Sequence, residues 1–269
     1  MNTRKAYPTD LTDAEWRILA PLVPAPAPNG RPADYDRREI VNAILYVLRA
    51  GCAWRLLPHD FPDWHLVYHY FAAWRDDGTL ERLHDAVRRK VRRHAHRAVE
   101  PSAAILDSQS VKVTDQGGPA GYDGGKHVKG RKRHLLVDTQ GWLLLILVTA
   151  ASVADPSGGR QVVERAKAAY RRLRHLWADR GYAGQFADWV RQACHWTVEI
   201  VGAQVKLPYF EVQKRRWVVE RTFGWLNRYR RLSKDYEYQT ASSEALIRLA
   251  MTHVMVRRLA RRQARNGTS

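Results

Sequence analysis

Apolar positions recur at helical spacing through the first hundred residues. Thr12-Asp-Ala-Glu15 is a capping box, followed by Trp16, Ile18, Leu19 and Leu22, which predicts a first helix. Pro24, Pro26, Pro28, Gly30 and Pro32 read as a stiff linker. A second helix is expected from Asp36, with the face Ile40, Ile44, Val47 and Leu48 and a cap at Gly51. Pro58 and Pro62 mark a turn into a third helix, Asp63 to Arg75. A fourth begins at Gly78-Thr79 and ends in the basic run RRKVRRHAHR. Short helices joined by tight turns predict a helix-turn-helix-like module over residues 1–100. WHLVYHYFAAWR is its candidate recognition helix. Trp64, Val67, Tyr68, Phe71 and Trp74 form its core stripe, and His65, His69 and Arg75 are left to meet DNA.

The period shortens after Ala103. Ala104 to Asp107 predicts a strand continuing through Val111 and Val113. A glycine-rich stretch, GGPAGYDGGKHVKGRKR, reads as a loop. His134–Thr139 and Trp142–Ala151 are strands joined by the hairpin signal Gln140-Gly141. Then follow a helix from about Gly159 to Arg174, a strand His175–Ala178, a helix from Gly184 to Cys194, a strand Thr197–Val201, and a long helix from near Val212. Three consecutive strands followed by alternating helices and strands predict an α/β (α+β) domain over residues 101–269, with helices packed on a mixed sheet.

Charge changes the picture. The formal net charge is +18 and the sequence pI about 10.3, which points to nucleic acid as partner. Two cysteines without metal-ligand spacing argue against a disulfide framework and a zinc finger. His94 and His96 belong to a solvated basic helix end. MNTRKAYPTD lacks the apolar segment of a signal peptide, and the longest apolar run, Trp142–Ala151, is too short to span a bilayer. A cytoplasmic, nucleoid-associated protein is expected.

Three carboxylates carry the candidate chemistry. Asp107 ends the apolar run of SAAILDSQSVKV, Asp179 ends that of RHLWADRGYAG, and Glu220 sits in the helix-patterned RRWVVERTFGWLNRYRRL. Carboxylates remote in sequence that converge at strand ends can hold two divalent metals and serve phosphoryl transfer. Asp107 and Asp179 meet only if the first and fourth predicted strands are neighbours, which is the ribonuclease H-like arrangement. For Glu220 alone, a helix-surface ion pair is an equal reading. Asp138 reads as a turn residue, and Asp115 and Asp123 fall in the loop. Asp155 is the rival that follows the third strand and could stand behind the ligands. The loop cations Lys126, Lys129, Arg131, Lys132 and Arg133 lie among glycines, where they could neutralise phosphates in a DNA complex. No GxxxxGK[ST] pattern is present.

These segments resemble the DDE transposases of bacterial insertion sequences, in the group numbered five. The likeness runs through YPTDLTDAEW, GCAWRLLP, LDSQSVK, GYDGGKHVKGRKRHLLVD, ADRGY and RRWVVERTFGWLNRYRRLSKDYE, so it covers nearly the whole chain. It implies a ribonuclease H-like catalytic core, with Asp107, Asp179 and Glu220 as the metal-binding triad for two Mg²⁺ ions, for which Mn²⁺ can substitute. It implies DNA strand transfer at terminal inverted repeats. It also implies an arginine four residues before the glutamate, matched by Arg216. Gln213 and Asn227 stand where Tyr and Lys are usual, with Arg228 beside the latter. The reaction joins two element ends to target DNA, which implies a homodimer or larger assembly on DNA. A structure-selective nuclease on the same fold, or a non-catalytic DNA-binding derivative, are the alternatives.

Overall fold

The computed structural model describes residues 4–25, 35–115, 117–202 and 216–266, with side chains left out at 216 and 263–266. The linker positions from Pro26 to Pro32, the expected helix start near Val212 and Gln213 lie outside the described residues.

Two compact units form. The first comprises Met1–His96, Asn227–Ser233 and Ala245–Ser269, and the second Arg97–Leu226 and Lys234–Glu244. The stretch from Ala245 onward therefore groups with the N-terminal helices, whereas a simple division at residue 100 assigns it to the catalytic part.

The first unit contains α1 (Asp13–Leu19), α2 (Arg37–Ala50), α3 (Trp64–Asp76) and α4 (Thr79–His94). Each begins where a local signal places it. Thr12 accepts from the Glu15 amide and the Glu15 side chain returns to the Thr12 amide; Asp36 and Asp63 cap α2 and α3; Gly51 ends α2 at φ +78°. Val67, Phe71 and Trp74 of α3 are buried as expected, but Tyr68 is exposed. Ile40, Ile44, Val47, Val67, Phe71, Val87, Met251 and Val256 are among the buried apolar residues.

His84 lies inside this unit. Burial first, then the like charges of Arg248 and Arg88, push its pKa down to about 3, with Asp85 acting the other way. His253 is likewise pushed down to about 4 by burial, Arg257 and Arg49. Both folded values lie below the unfolded value near 6.5, so the unfolded chain binds more protons throughout that interval. Stability is fully present above about pH 6.5 and is lost as pH falls. For His84 alone the loss approaches about 3 kcal/mol near pH 4. Urea midpoints measured across this range should fall with pH, and His84→Gln should flatten the fall; an unchanged slope would refute the assignment.

The second unit is built on β1 (Ala103–Lys112), β2 (Gly121–Asp123), β3 (Val128–Asp138), β4 (Leu143–Ala150), α5 (Asp155–Ala169), β5 (His175–Ala178), α6 (Gln185–Cys194), β6 (Thr197–Ile200) and α7 (Arg216–Leu226), with α8 (Thr240–Asn266) following. The sheet order is β2-β3-β1-β5-β6, with β4 also paired to β3. β1 runs antiparallel to β3 and parallel to β5, and β5 parallel to β6. This is the mixed α/β, ribonuclease H-like order in which β1 neighbours the strand that leads to Asp179.

Three elements differ from the sequence reading. The glycine-rich stretch is not one loop: it contains β2 and the first half of β3. Helix α5 begins at Asp155, ahead of the expected Gly159, and α8 lies beyond the last predicted element. The glycines of α5 serve close packing rather than helix breaking. A Cβ on Gly158 would lie 2.2 Å from the His134 ring, and one on Gly159 2.6 Å from the Tyr182 ring. Gly158→Ala should therefore destabilise the protein by about 1–3 kcal/mol through overpacking. A melting temperature equal to the parent's would show that α5 can shift at no cost.

Candidate active site

The register of β1 on β5 pairs Leu106 with Ala178, so Asp107, midway along β1, and Asp179, just past the end of β5, follow side by side where the parallel pairing stops. The Asp107 Oδ1 accepts from the Ser108 amide at 2.7 Å. Asp179 caps the short turn Arg180–Tyr182, with its Oδ1 accepting from the Gly181 amide at 3.0 Å. The backbone thus orients one oxygen of each carboxylate.

Asp155, the first residue of α5, joins this end of the sheet. Its Oδ1 accepts from the Ser108 hydroxyl and lies against Lys132 Nζ, each at 2.9 Å. Lys126 Nζ is 3.9 Å from its other oxygen and donates to the Ser108 carbonyl at 3.2 Å and the hydroxyl at 3.1 Å. Burial would raise the Asp155 pKa, but the Lys132 hydrogen bond, the charge of Lys126 and the Ser108 hydrogen bond hold it below the usual carboxylate range. A Cβ on Gly181 would sit 3.1 Å from Asp179 Oδ1 and 3.6 Å from Asp155 Oδ2, so both carboxylates crowd one glycine. Tyr182 is buried beneath them. Its hydroxyl is pushed well above its ordinary value by burial and then by the charges of Asp155, Asp107 and Asp179. Three carboxylates bearing on one phenol make a negative field that a cation would relieve.

Glu220 is placed differently. Helix α7 packs against β1, and its far end is pinned to the β3–β4 hairpin. There the Thr222 hydroxyl donates to the Gly141 carbonyl at 2.8 Å, Arg221 donates to the Gln140 carbonyl at 2.7 Å, and Trp225 stacks on Trp142 at 5.1 Å. Gly141 turns at φ +84°, and a Cβ there would meet the Thr222 hydroxyl at 2.9 Å. Glu220 itself is exposed. Among the described residues, no group of three His, Cys, Asp or Glu side chains is assembled for a metal ion. Asp107 and Asp179 are brought together, and Glu220 is on a helix against the same strand without joining them.

The basic residues separate into two sets. Lys126, Lys129, His65, His69 and Arg228 are exposed. Arg75 is half-buried and pairs with Asp76 at 2.7 Å. The side chain of Arg216 is outside the described residues. Arg131, Lys132 and Arg133, expected in a DNA-facing loop, are instead buried strand residues. Arg131 pairs with Asp235 at 3.0 Å, both side chains fully buried. Lys132 bridges Asp155 and Asp123. Arg133 donates to the Lys234 carbonyl at 3.2 Å. Glycines between cations read as a loop, but here they allow strand contact: a Cβ on Gly130 would lie 1.9 Å from the Val111 carbonyl. Asp123 is also a buried strand residue, not a loop one. Burial would raise it, yet the Ser110 and Lys132 hydrogen bonds hold its pKa down to about 2. Ser108 and Tyr182 escaped the sequence reading, although both lie within three residues of an expected aspartate.

A family model for the transposase DDE domain matches residues 99–255, more than half of the chain. The chain belongs to the DDE transposases. A second model, described as a putative transposase of the IS4/5 family, matches residues 11–84. It is 29% identical over 113 residues to the insertion element IS402 uncharacterized 16.2 kDa protein of Burkholderia cepacia, covering 40% of this chain and 76% of that one. It is 27% identical over 73 residues to the uncharacterized protein y4sN of Sinorhizobium fredii (strain NBRC 101917 / NGR234), covering 27% of this chain and 58% of the relative. Among solved structures, the Mos1 strand transfer complex aligns at a TM-score of 0.27 and 13% identity, covering 87% of this chain and 79% of that one. Members of the family generally use divalent metal ions. The all-oxygen donor pair Asp107 and Asp179 suits a hard divalent cation. No described helix of the transposase is long and apolar enough to cross a membrane.

Proposed function

We propose that the transposase cuts and joins DNA at the terminal inverted repeats of an insertion sequence in the group numbered five. The observation that carries this reading is the juxtaposition of Asp107 and Asp179 where the parallel pairing of β1 and β5 stops. In it Asp107 and Asp179, with Glu220 brought to them, would hold two Mg²⁺ ions, with Mn²⁺ as a substitute. Bound there, such ions supply activation of the attacking oxygen and stabilisation of the leaving one. The chain's own residues do the rest. The Ser108 and Gly181 amides hold the two aspartates in one orientation. Lys126, exposed beside Ser108, meets a DNA phosphate. Lys129, Arg228 and Arg216 add backbone contacts, and His65, His69 and Arg75 of α3 meet the repeat. Residues 1–100 recognise DNA and residues 101–269 carry the chemistry. Two element ends require at least a homodimer on DNA, and the site of action is the bacterial cytoplasm, at the nucleoid.

The test is strand transfer in Mg²⁺ of a precut oligonucleotide carrying the element's terminal repeat. Joining to target DNA, dependent on the repeat sequence, is the expected result. Cutting without joining would replace the reading with a structure-selective nuclease. Tight binding with neither reaction in Mg²⁺ or Mn²⁺ would replace it with a non-catalytic derivative.

A further inference from the structure

Beyond α3, the helical unit carries two acid-free basic stretches, residues 86–99 and 245–266. Helices α4 and α8 touch at two levels. Arg248 donates to Glu81 at 3.2 Å, and Arg262 donates to the His94 carbonyl at 3.3 Å. Both helices advance by about 20 Å between these contacts. They therefore run parallel, and the basic end of α4 finishes beside the basic end of α8.

The charge along them is uneven. Ion pairs along the helices include Glu81 with Arg248 and Asp85 with Arg88 and Arg89, and, further along α8, Arg257 reaches Glu15 at 3.7 Å. Those acidic partners lie outside residues 86–99 and 245–266, which contain no Asp or Glu at all. Arg93 and His94 of α4 and Arg258, Arg261 and Arg262 of α8 are exposed. The Arg258 guanidinium is pushed below its ordinary value by partial burial and by the like charge of Arg262. A helix C-terminus favours cations in its last turn. Two such ends placed together collect mutually repelling arginines, and a polyanion removes that repulsion.

We infer that the paired C-terminal ends of α4 and α8 are a docking surface for the phosphodiester backbone of duplex DNA. This rests on the transposase reading and deepens it. The contacts are to phosphates and confer affinity and orientation without reading sequence. Sequence discrimination is left to other elements.

The experiment is fluorescence anisotropy of the full chain with labelled duplex, titrated with salt, with and without the terminal repeat. The variant is Arg93→Gln/Arg258→Gln/Arg261→Gln/Arg262→Gln, with the corresponding all-lysine variant as a charge-keeping control. Each phosphate contact contributes about 0.9 to the slope of log affinity against log salt. The glutamine variant should lose about 2–4 from that slope and bind at least about tenfold more weakly on both duplexes. The lysine variant should retain most of the slope, and equal melting temperatures show that both fold. An unchanged slope and affinity in the glutamine variant overturns the inference. So does a loss confined to repeat-bearing duplex, which would make the surface a sequence reader. Displacement of duplex by a structured RNA at far lower concentration would reassign the surface to RNA. Strand transfer assayed on the same preparations separates the two failures: joining with an unchanged slope refutes only the surface, and no joining by wild type refutes the transposase reading.

Discussion

Asp107→Asn and Asp179→Asn should each lower DNA cleavage and joining by at least about 10³-fold, equivalent to about 4 kcal/mol of barrier. The substitution keeps shape and one carbonyl oxygen but removes the charge that opposes a divalent cation. The two sites are not equivalent in their folding roles. Asp179 also caps the turn before Tyr182, and Asn is a competent cap, so the fold should survive. Asp107, Asp155 and Asp179 all lie close enough to the buried Tyr182 hydroxyl to act on it, so removing one charge relieves repulsion among the three carboxylates. The variants should therefore melt at or slightly above the wild-type temperature while losing activity. The measurement pairs thermal melts with single-turnover cleavage of a repeat-bearing duplex. An inactive variant that also melts much lower would attribute the defect to folding. Activity within tenfold of wild type would remove that aspartate from the site. Glu220→Gln, on the exposed side chain of α7, tests the third member, with the same thermal melt run beside the activity assay.

The second large effect concerns the buried pair Arg131–Asp235. Arg131 donates to Asp235 at 3.0 Å and to the carbonyls of Pro119, Glu237 and Tyr238 at 2.8, 2.6 and 2.7 Å. Asp235 also accepts from the Ser243 hydroxyl at 2.7 Å, and its amide donates to the Lys112 carbonyl at 2.8 Å. The pair therefore ties residues 235–243 to β1 and β3. Removing one partner leaves the other charge buried, at a cost of about 3–5 kcal/mol. Asp235→Asn should cost more than Arg131→Met. Arg133 stands two residues along β3, with its pKa pushed down to about 10 by burial, raised by Asp235 and lowered by Arg131. Without Asp235, two buried guanidinium groups confront each other. The double variant Arg131→Met/Asp235→Asn should be more stable than the two single losses added together. Denaturant unfolding of all four proteins checks this, and strict additivity would show that the pair is not coupled.

Much of the fold was legible in sequence because its signals are local. The capping box at Thr12, the caps at Asp36 and Asp63, the αL cap at Gly51 and the hairpin at Gln140-Gly141 each act over a few residues, and the structure has each. Asp107 and Asp179 stood out because each ends an apolar run; β5 stops before Asp179, whereas β1 continues beyond Asp107 to Lys112. The buried cations were not legible. Arg131, Lys132 and Arg133 look solvated until Asp235, Asp123 and Asp155 are brought to them from distant parts of the chain. Glycines read as loop or breaker signals at 130, 158 and 159 are close contacts, and only the partner surface shows this.

Sequence by itself determined most of the helices and strands, the two aspartates that end apolar runs and the strongly positive charge, since periodicity, caps and net charge are properties of neighbouring residues or of composition. Tertiary structure alone decided that β1 lies beside β5 and that Asp155 and Tyr182 share their end. It also decided that three loop-like cations are buried counter-ions, and that α8 runs parallel to α4. Those facts depend on pairing over long separations, where burial makes a charge tolerable only once its partner has arrived.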